Sequence, residues 1–243
     1  MATHLISFPD TTLTVDMVLA EMKDLAKQSY RCIIKDMLFR YRRHLNPQGM
    51  WCKVRVSWAG EGSVRIGGTI VNDAYLAKKL LRVNTAYVFL SKINDDLWSD
   101  RIRNRDSIER FLFPYIMKAS INQAFAGTAS VIAKMIPDYL KIYMDNPGYS
   151  DGWPLSCQKD LLAILQEDCP QIVSDLRLTE DGSFINEYTL MGIIYARSKD
   201  TRTALVLPSE NKKAISLTGD SMTENLPTPK ELMEVLYLSA GLY

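Results

Sequence analysis

The stretch from Ser29 to Arg43, SYRCIIKDMLFRYRR, limits what this chain can fold into more than any other. At about 100° per residue, Tyr30, Ile33, Ile34, Met37, Leu38 and Tyr41 share one face of a helix. Arg31, Lys35 and Arg42 form a neighbouring stripe, and Arg40 and Arg43 flank the apolar face from the other side. A helix of this kind buries one side in a core and presents charge at its rim, where it can meet polyanions. No catalytic motif competes with it, so the sequence is more informative about fold and binding than about a reaction.

A length of 243 residues allows one large domain or two small lobes, and 47% hydrophobic residues is the composition of a globular protein. No apolar run approaches the roughly 18–20 residues of a membrane span, and no signal peptide is expected. Cys32, Cys52, Cys157 and Cys169 lie 20, 105 and 12 residues apart. That spacing reads as free thiols in a reducing compartment rather than a metal site or disulfide framework. The formal net charge of +1 hides an asymmetry: residues 1–118 carry +7 and residues 119–243 carry −6. A chain so divided can bind an anion with one part, or meet its own copies head to tail.

Taken in order, residues 1–13 read as an N-terminal arm or first strand. Residues 14–28 read as a helix with Thr14 as its N-cap. The Ser29–Arg43 helix ends at Asn46-Pro47-Gln48-Gly49. Residues 51–71 predict a β-hairpin, with Val54, Val56, Trp58, Val64 and Ile66 inward and Lys53, Arg55 and Arg65 outward. Residues 73–93 read as a helix carrying Lys78, Lys79 and Arg82. Asp106 and Glu109 form a capping box before the next helix, in which Pro114 predicts a kink. Residues 119–136, rich in small side chains, predict a closely packed central helix. A further helical piece follows Pro137. The segment 145–154, DNPGYSDGWP, is a loop and the expected junction between lobes. Helices are predicted over residues 155–169 and 186–196. Short strands are predicted at 204–207 and 214–217, a linker at 218–227, and a final helix opening at Thr228-Pro229-Lys230-Glu231.

The expected fold is therefore mainly α with a small β-hairpin: two helical lobes with terminal arms. Residues 1–13 form one arm, 14–145 a basic lobe containing the hairpin, 155–218 an acidic lobe, and 219–243 a C-terminal arm or helix.

The chemistry of common catalysts is missing from the sequence. His4 and His44 stand apart and neither belongs to HExxH, and no Cys/His pair has metal-ligand spacing. Gly60-x-Gly62 and Gly67-Gly68 suit a hairpin rather than a phosphate loop. Asp95, Asp96 and Asp100 lie in a polar connection, where carboxylates are ordinarily solvated. No enzyme activity, cofactor or metal is expected. Cations, by contrast, occur on four successive elements: Arg31, Lys35, Arg40, Arg42 and Arg43; Lys53, Arg55 and Arg65; Lys78, Lys79 and Arg82; Arg101, Arg103 and Arg105. Tyr30, Tyr41, Trp58, Tyr75 and Tyr87 are interleaved with them. Cations neutralise phosphates, and aromatic rings stack on bases without regard to sequence.

The order of WCKVRVSW, AKKLLRVNTAYVFLSK and FLFPYIMKASINQAFAG resembles the nucleoproteins of bunyavirus-type segmented negative-strand RNA viruses. In the orthobunyavirus branch a hairpin entered through a tryptophan precedes helices carrying basic residues. Coat proteins of flexible filamentous plant viruses have a similar plan. The resemblance covers under half of the chain and does not extend to the C-terminal half. It implies two lobes with an RNA groove between them, arms that link subunits, and a location in the host cytoplasm or the virion.

The leading expectation is a self-assembling nucleocapsid or coat protein that binds single-stranded RNA non-specifically. The expected contacts are Arg31, Lys35, Arg40, Arg42, Arg43, Lys53, Arg55, Arg65, Lys78, Lys79, Arg82, Arg101, Arg103 and Arg105, with Tyr41 and Trp58 as stacking groups. Expected partners are single-stranded RNA and copies of the chain, joined through the terminal arms. The alternatives are a matrix-like or adaptor module without nucleic acid, and an enzyme of unrecognised family.

Overall fold

The computed structural model describes residues 3–7, 13–45, 47–93, 106–148, 150, 152–168, 170–173, 176–185 and 188–198. Its centre is an antiparallel sheet of seven strands: β1 (Thr3–Ser7), β2 (Gln48–Gly60), β3 (Ser63–Ile66), β4 (Thr69–Val71), β5 (Thr85–Lys92), β6 (Leu140–Asp145) and β7 (Thr189–Ser198). The order across the sheet is β4-β3-β2-β5-β7-β6, and β1 pairs with the first part of β2. The fold is thus a sheet-centred α/β architecture. The expected mainly helical, two-lobed fold is overturned, because strands from both halves of the chain join in one sheet.

The corrections to the element assignment concern strands read as helices. Within 73–93, only α3 (Ala74–Lys79) is helical and β5 follows it. The piece after Pro137 is β6, and 186–196 gives way to β7. β5 runs between β2 and β7, with Ala86 opposite both Val54 and Tyr195. Its residues from Ala86 to Ser91 are buried on both faces of the sheet. A strand covered on both sides loses the alternation that marks a half-exposed one, so its apolar run imitates a buried helix.

The helices were more legible. α1 (Val15–Met22) starts at Thr14, whose Oγ1 accepts from Met17 N at 3.3 Å. α2 (Tyr30–Leu45) buries Ile34, Met37, Leu38 and Tyr41, four of the six residues assigned to its apolar face. α4 (Ser107–Ala133) starts at Asp106, which accepts from Ile108 N at 2.8 Å, and runs through Pro114. α5 (Gln158–Asp168) follows a short 3₁₀ turn, and α6 (Pro170–Val173) follows α5.

Three layers result. One sheet face, carrying Met50, Cys52, Val54, Val88, Leu90, Met191 and Ile193, packs on α3 and α5 through Leu76, Leu80, Leu161 and Leu165. The opposite face, with Trp51, Tyr87, Phe89 and Ile194, packs on Phe125, Ala129 and Ile132 of α4. The first half of α4 instead meets α1 and α2 through Leu112, Ile116 and Met117. Being sandwiched, α4 is apolar almost all round. A buried polar contact joins it to the sheet, between the Ser91 and Thr128 hydroxyls at 3.3 Å.

The hairpin expectation holds in its alternation: Val54, Val56, Val64 and Ile66 are buried, and Lys53, Arg55 and Arg65 are exposed. It gains a third strand, β4. Trp58 departs from the expectation, at 62% exposed. Its cross-strand partner Val64 is buried, and the ladder shifts register immediately after Trp58, before Gly60. The predicted strands, linker and helix beyond residue 203 lie outside the described residues.

Two predictions follow from this packing. A Cβ on Gly192 of β7 would stand 2.7 Å from the Asp145 carbonyl oxygen and 2.9 Å from the Phe89 ring. Gly192→Ala is expected to cost about 1–3 kcal/mol, the usual range for overpacking, read as a lower urea midpoint; an unchanged midpoint would show that β6 and β7 can separate freely. Burial, with Asp73 nearby, pushes the Cys157 thiol up to about 11. At pH 8 it stays protonated while exposed Cys32 on α2 is available. Iodoacetamide followed by peptide mass spectrometry should modify Cys32 first, and equal rates at the two sites would contradict the burial.

Candidate functional site

Among the described residues, the expected RNA contacts on α2 and those on the sheet stand in different surroundings. Arg31 is paired with Asp16 at 2.6 Å, a hydrogen bond that raises its pKa. Arg40 reaches Glu109 of α4 at 2.6 Å and Asp36 at 2.8 Å. The Tyr41 hydroxyl donates to Glu109 at 3.4 Å, and the Tyr41 ring is 4% exposed. Arg40 and Tyr41 therefore fasten α2 to the first turn of α4, and Tyr41 offers no ring for stacking. Glu109, read as half of a capping box, serves this cross-link instead. Lys35 is exposed on α2. Arg42 and Arg43 belong to α2, but their side chains lie outside the described residues, as do Arg101, Arg103 and Arg105 entirely.

A second group does converge. Trp51, Lys53 and Arg55 point to the sheet face that α4 covers, but α4 ends before it reaches Lys53 and Arg55. On β3, Arg65 lies opposite Ser57 and diagonal to Arg55. Lys53, Arg55 and Arg65 thus stand on a bare part of the sheet. Lys53 also lines a cleft of about 760 Å³ where the C-terminal turn of α4 leaves β5 and β7 uncovered. Lys78, Arg82, Tyr87, Met135 and Arg197 line the same cleft. Arg82 is held there by a left-handed backbone at φ 69°, directly after α3, where Val83 N donates to Leu80 O at 2.9 Å.

Arg197, which sequence reasoning missed, ties this cleft to a third cluster. Its guanidinium lies 5.5 Å from the Tyr143 ring centroid and 5.4 Å from that of Tyr195. Those two rings stack on each other at 5.5 Å. Asp145, 6% exposed at the end of β6, accepts from the Tyr75 hydroxyl and the Tyr195 hydroxyl, each at 2.8 Å. Burial, and then the Asp145 charge, drive the Tyr195 pKa far up, so its proton stays in place as a donor to the carboxylate. Tyr75 in turn stacks on Trp153 at 6.5 Å, and Lys79 sits 5.0 Å from the Tyr75 ring centroid.

The loop after Asp145 is ordered by its own backbone. Gly148 N donates to Trp153 O at 2.9 Å, Asn146 N donates to Ser150 Oγ at 3.0 Å, and Trp153 N donates to Ser150 O at 3.0 Å. Gly148, at φ 80°, permits the turn. Asn146 Oδ1 is buried beside Gly192 without a hydrogen-bond donor. The chain thus concentrates aromatic walls, a fixed carboxylate and an unsatisfied acceptor at one end of the sheet. The sequence marks this segment as a loop junction. Its density of Asn, Pro, Gly and aromatics is the signal that it is a built loop rather than a linker.

Among the described residues, no group of three or more His, Cys, Asp or Glu is placed to hold a metal ion, and no helix is long and apolar enough to cross a membrane. No protein-family model matches the sequence, and no curated protein matches it. Solved structures do. A crystal structure of the MetH reactivation domain bound to AdoHcy shares this fold with a TM-score of 0.51 and 12% identity, over 84% of this chain and 81% of that one.

Proposed function

We propose that this chain is a small-molecule-binding domain for a nucleoside thioether of the AdoHcy type, held at the Tyr75–Asp145–Tyr195 cluster and the loop that follows it. The observation that carries this reading is the fold, shared over four-fifths of both chains with a domain solved with AdoHcy bound. One fold hosts many functions, so the site must supply the chemistry. AdoHcy has an adenine ring, ribose hydroxyls and an amino-acid end with one ammonium and one carboxylate. The half-buried Tyr143 ring suits a flat base. Asp145 suits an ammonium, and Arg197 a carboxylate. The buried Oδ1 of Asn146 can accept from a hydroxyl or amino group. No reaction is required of these residues; the proposal is binding.

Calorimetric titration of the full chain with AdoHcy tests it. Saturable binding is expected, weakened at least tenfold by Asp145→Asn and by Tyr75→Phe, since a hydrogen bond to a charged group contributes about 1.5–3 kcal/mol. A folded protein that takes up no AdoHcy at millimolar concentration would end this reading.

The second reading remains a self-assembling protein that coats single-stranded RNA. What favours it is the bare cationic sheet face of Lys53, Arg55 and Arg65. Size exclusion with absorbance at 260 and 280 nm should then show a large, RNase-sensitive species, and Arg55→Glu with Arg65→Glu should flatten the salt dependence of oligonucleotide binding. A nucleotide-free peak whose oligonucleotide affinity ignores both substitutions removes it.

A further inference from the structure

The thioether reading leaves the cationic cleft unexplained. AdoHcy bears a single carboxylate, yet Lys53, Lys78, Arg82 and Arg197 all line this one cavity. They arrive from β2, α3, the turn after α3, and β7, so no run of adjacent residues accounts for their meeting. No acidic side chain is among the described residues that line it. Gathering like charges such as Lys53, Lys78 and Arg197 is unfavourable unless an anion compensates them. Arg197 adds a sharper sign: its Nε is buried with no acceptor, and its Nη2 has only a long 3.5 Å contact with Lys78 O. Buried donors are ordinarily satisfied, so an acceptor is missing from the arrangement.

Asn84, Thr85 and Ser198 also line the cavity, and the rest of it is apolar. Tyr87 at 5% exposure lies in its wall, and Leu81 and Met135 are exposed large side chains at 44% and 40%. The volume of about 760 Å³ lies within the range of small-molecule pockets. Arginine forks and lysine ammoniums together suit phosphate oxygens, and the exposed apolar side chains of Leu81 and Met135 suit the face of a base.

We infer that the cleft between the end of α4, the α3 turn and strands β5 and β7 is a second site, for a nucleoside phosphate. It is separate from the proposed thioether site and touches it only through Arg197.

The test is titration of the full chain with ATP, AMP, adenosine and inorganic tripolyphosphate, alongside AdoHcy. ATP should bind at least tenfold more tightly than adenosine, with AMP between them, and its affinity should fall as salt rises. Lys53→Glu and Lys78→Glu each remove a solvent-facing charge without emptying the core. Each should weaken ATP at least tenfold and leave the AdoHcy affinity of the chain as it was. ATP binding no better than adenosine, or unaffected by Lys53→Glu, would overturn the inference. Tripolyphosphate matching ATP would overturn the base-binding half of it. A short single-stranded RNA binding far more tightly than ATP through the same lysines would replace the nucleotide with an extended strand. Because ATP and AdoHcy are measured in the same variants, absence of AdoHcy binding leaves the ATP result standing on its own.

Discussion

Strand β5 is the element on which the rest of the structure depends. Its backbone is paired on one side with β2 and on the other with β7, so within the sheet the early and late strands of the described chain are joined across it. Its side chains divide between two cores: Ala86, Val88 and Leu90 toward α3 and α5, Tyr87 and Phe89 toward α4. Backbone groups buried this deeply must be paired, and neighbouring strands are the partners that do it. Moving β5 by one residue would exchange its two faces and misplace both cores at once.

The two faces are covered unequally, and the candidate sites follow from that. α3 and α5 lie over one face. On the other, α4 covers Trp51, Phe89 and Ile194 and then ends, leaving Lys53, Arg55 and Arg65 on bare sheet and a cleft beside Tyr87. The Tyr75–Asp145–Tyr195 cluster lies where β6 ends and the chain turns into a loop. Function placed at loop ends on a rigid sheet is a common arrangement, since the sheet holds the geometry and the loop supplies the groups. Gly192 lets the loop approach β7 closely enough to bury Asn146.

Of the expected binding residues on α2, Arg31, Arg40 and Tyr41 have carboxylate partners within the protein. Arg40 and Tyr41 hold Glu109, and Arg31 holds Asp16. Sequence spacing showed that they share a helix rim; it could not show which carboxylates would be packed against that rim. Lys53 belongs to one expected element and Lys78 and Arg82 to another, and the fold brings these three together. Arg197 was not among the expected residues because it lies in an acidic half of the chain, and its partners Lys78, Tyr143 and Tyr195 become neighbours only in the folded sheet.

By itself the sequence determined α1, α2 and α5, the helical character of the two stretches that join into the single α4, the caps at Thr14 and Asp106, and the alternation that sends Val54, Val56, Val64 and Ile66 inward and Lys53, Arg55 and Arg65 outward. These features rest on residues within a few positions of one another, where periodicity and capping act. The tertiary structure alone decided that β5, β6 and β7 are strands, and which cations and tyrosines meet. β5 and β7 could have been suspected from their β-branched and aromatic content, Thr-Ala-Tyr-Val-Phe-Leu and Gly-Ile-Ile-Tyr. Yet the hydrogen bonds that make them strands come from remote partners, and burial on both faces erases the period that would have announced them. A helix satisfies its own backbone and so is written locally; a central strand is completed by its neighbours, and the sites at its ends come into being only when those neighbours arrive.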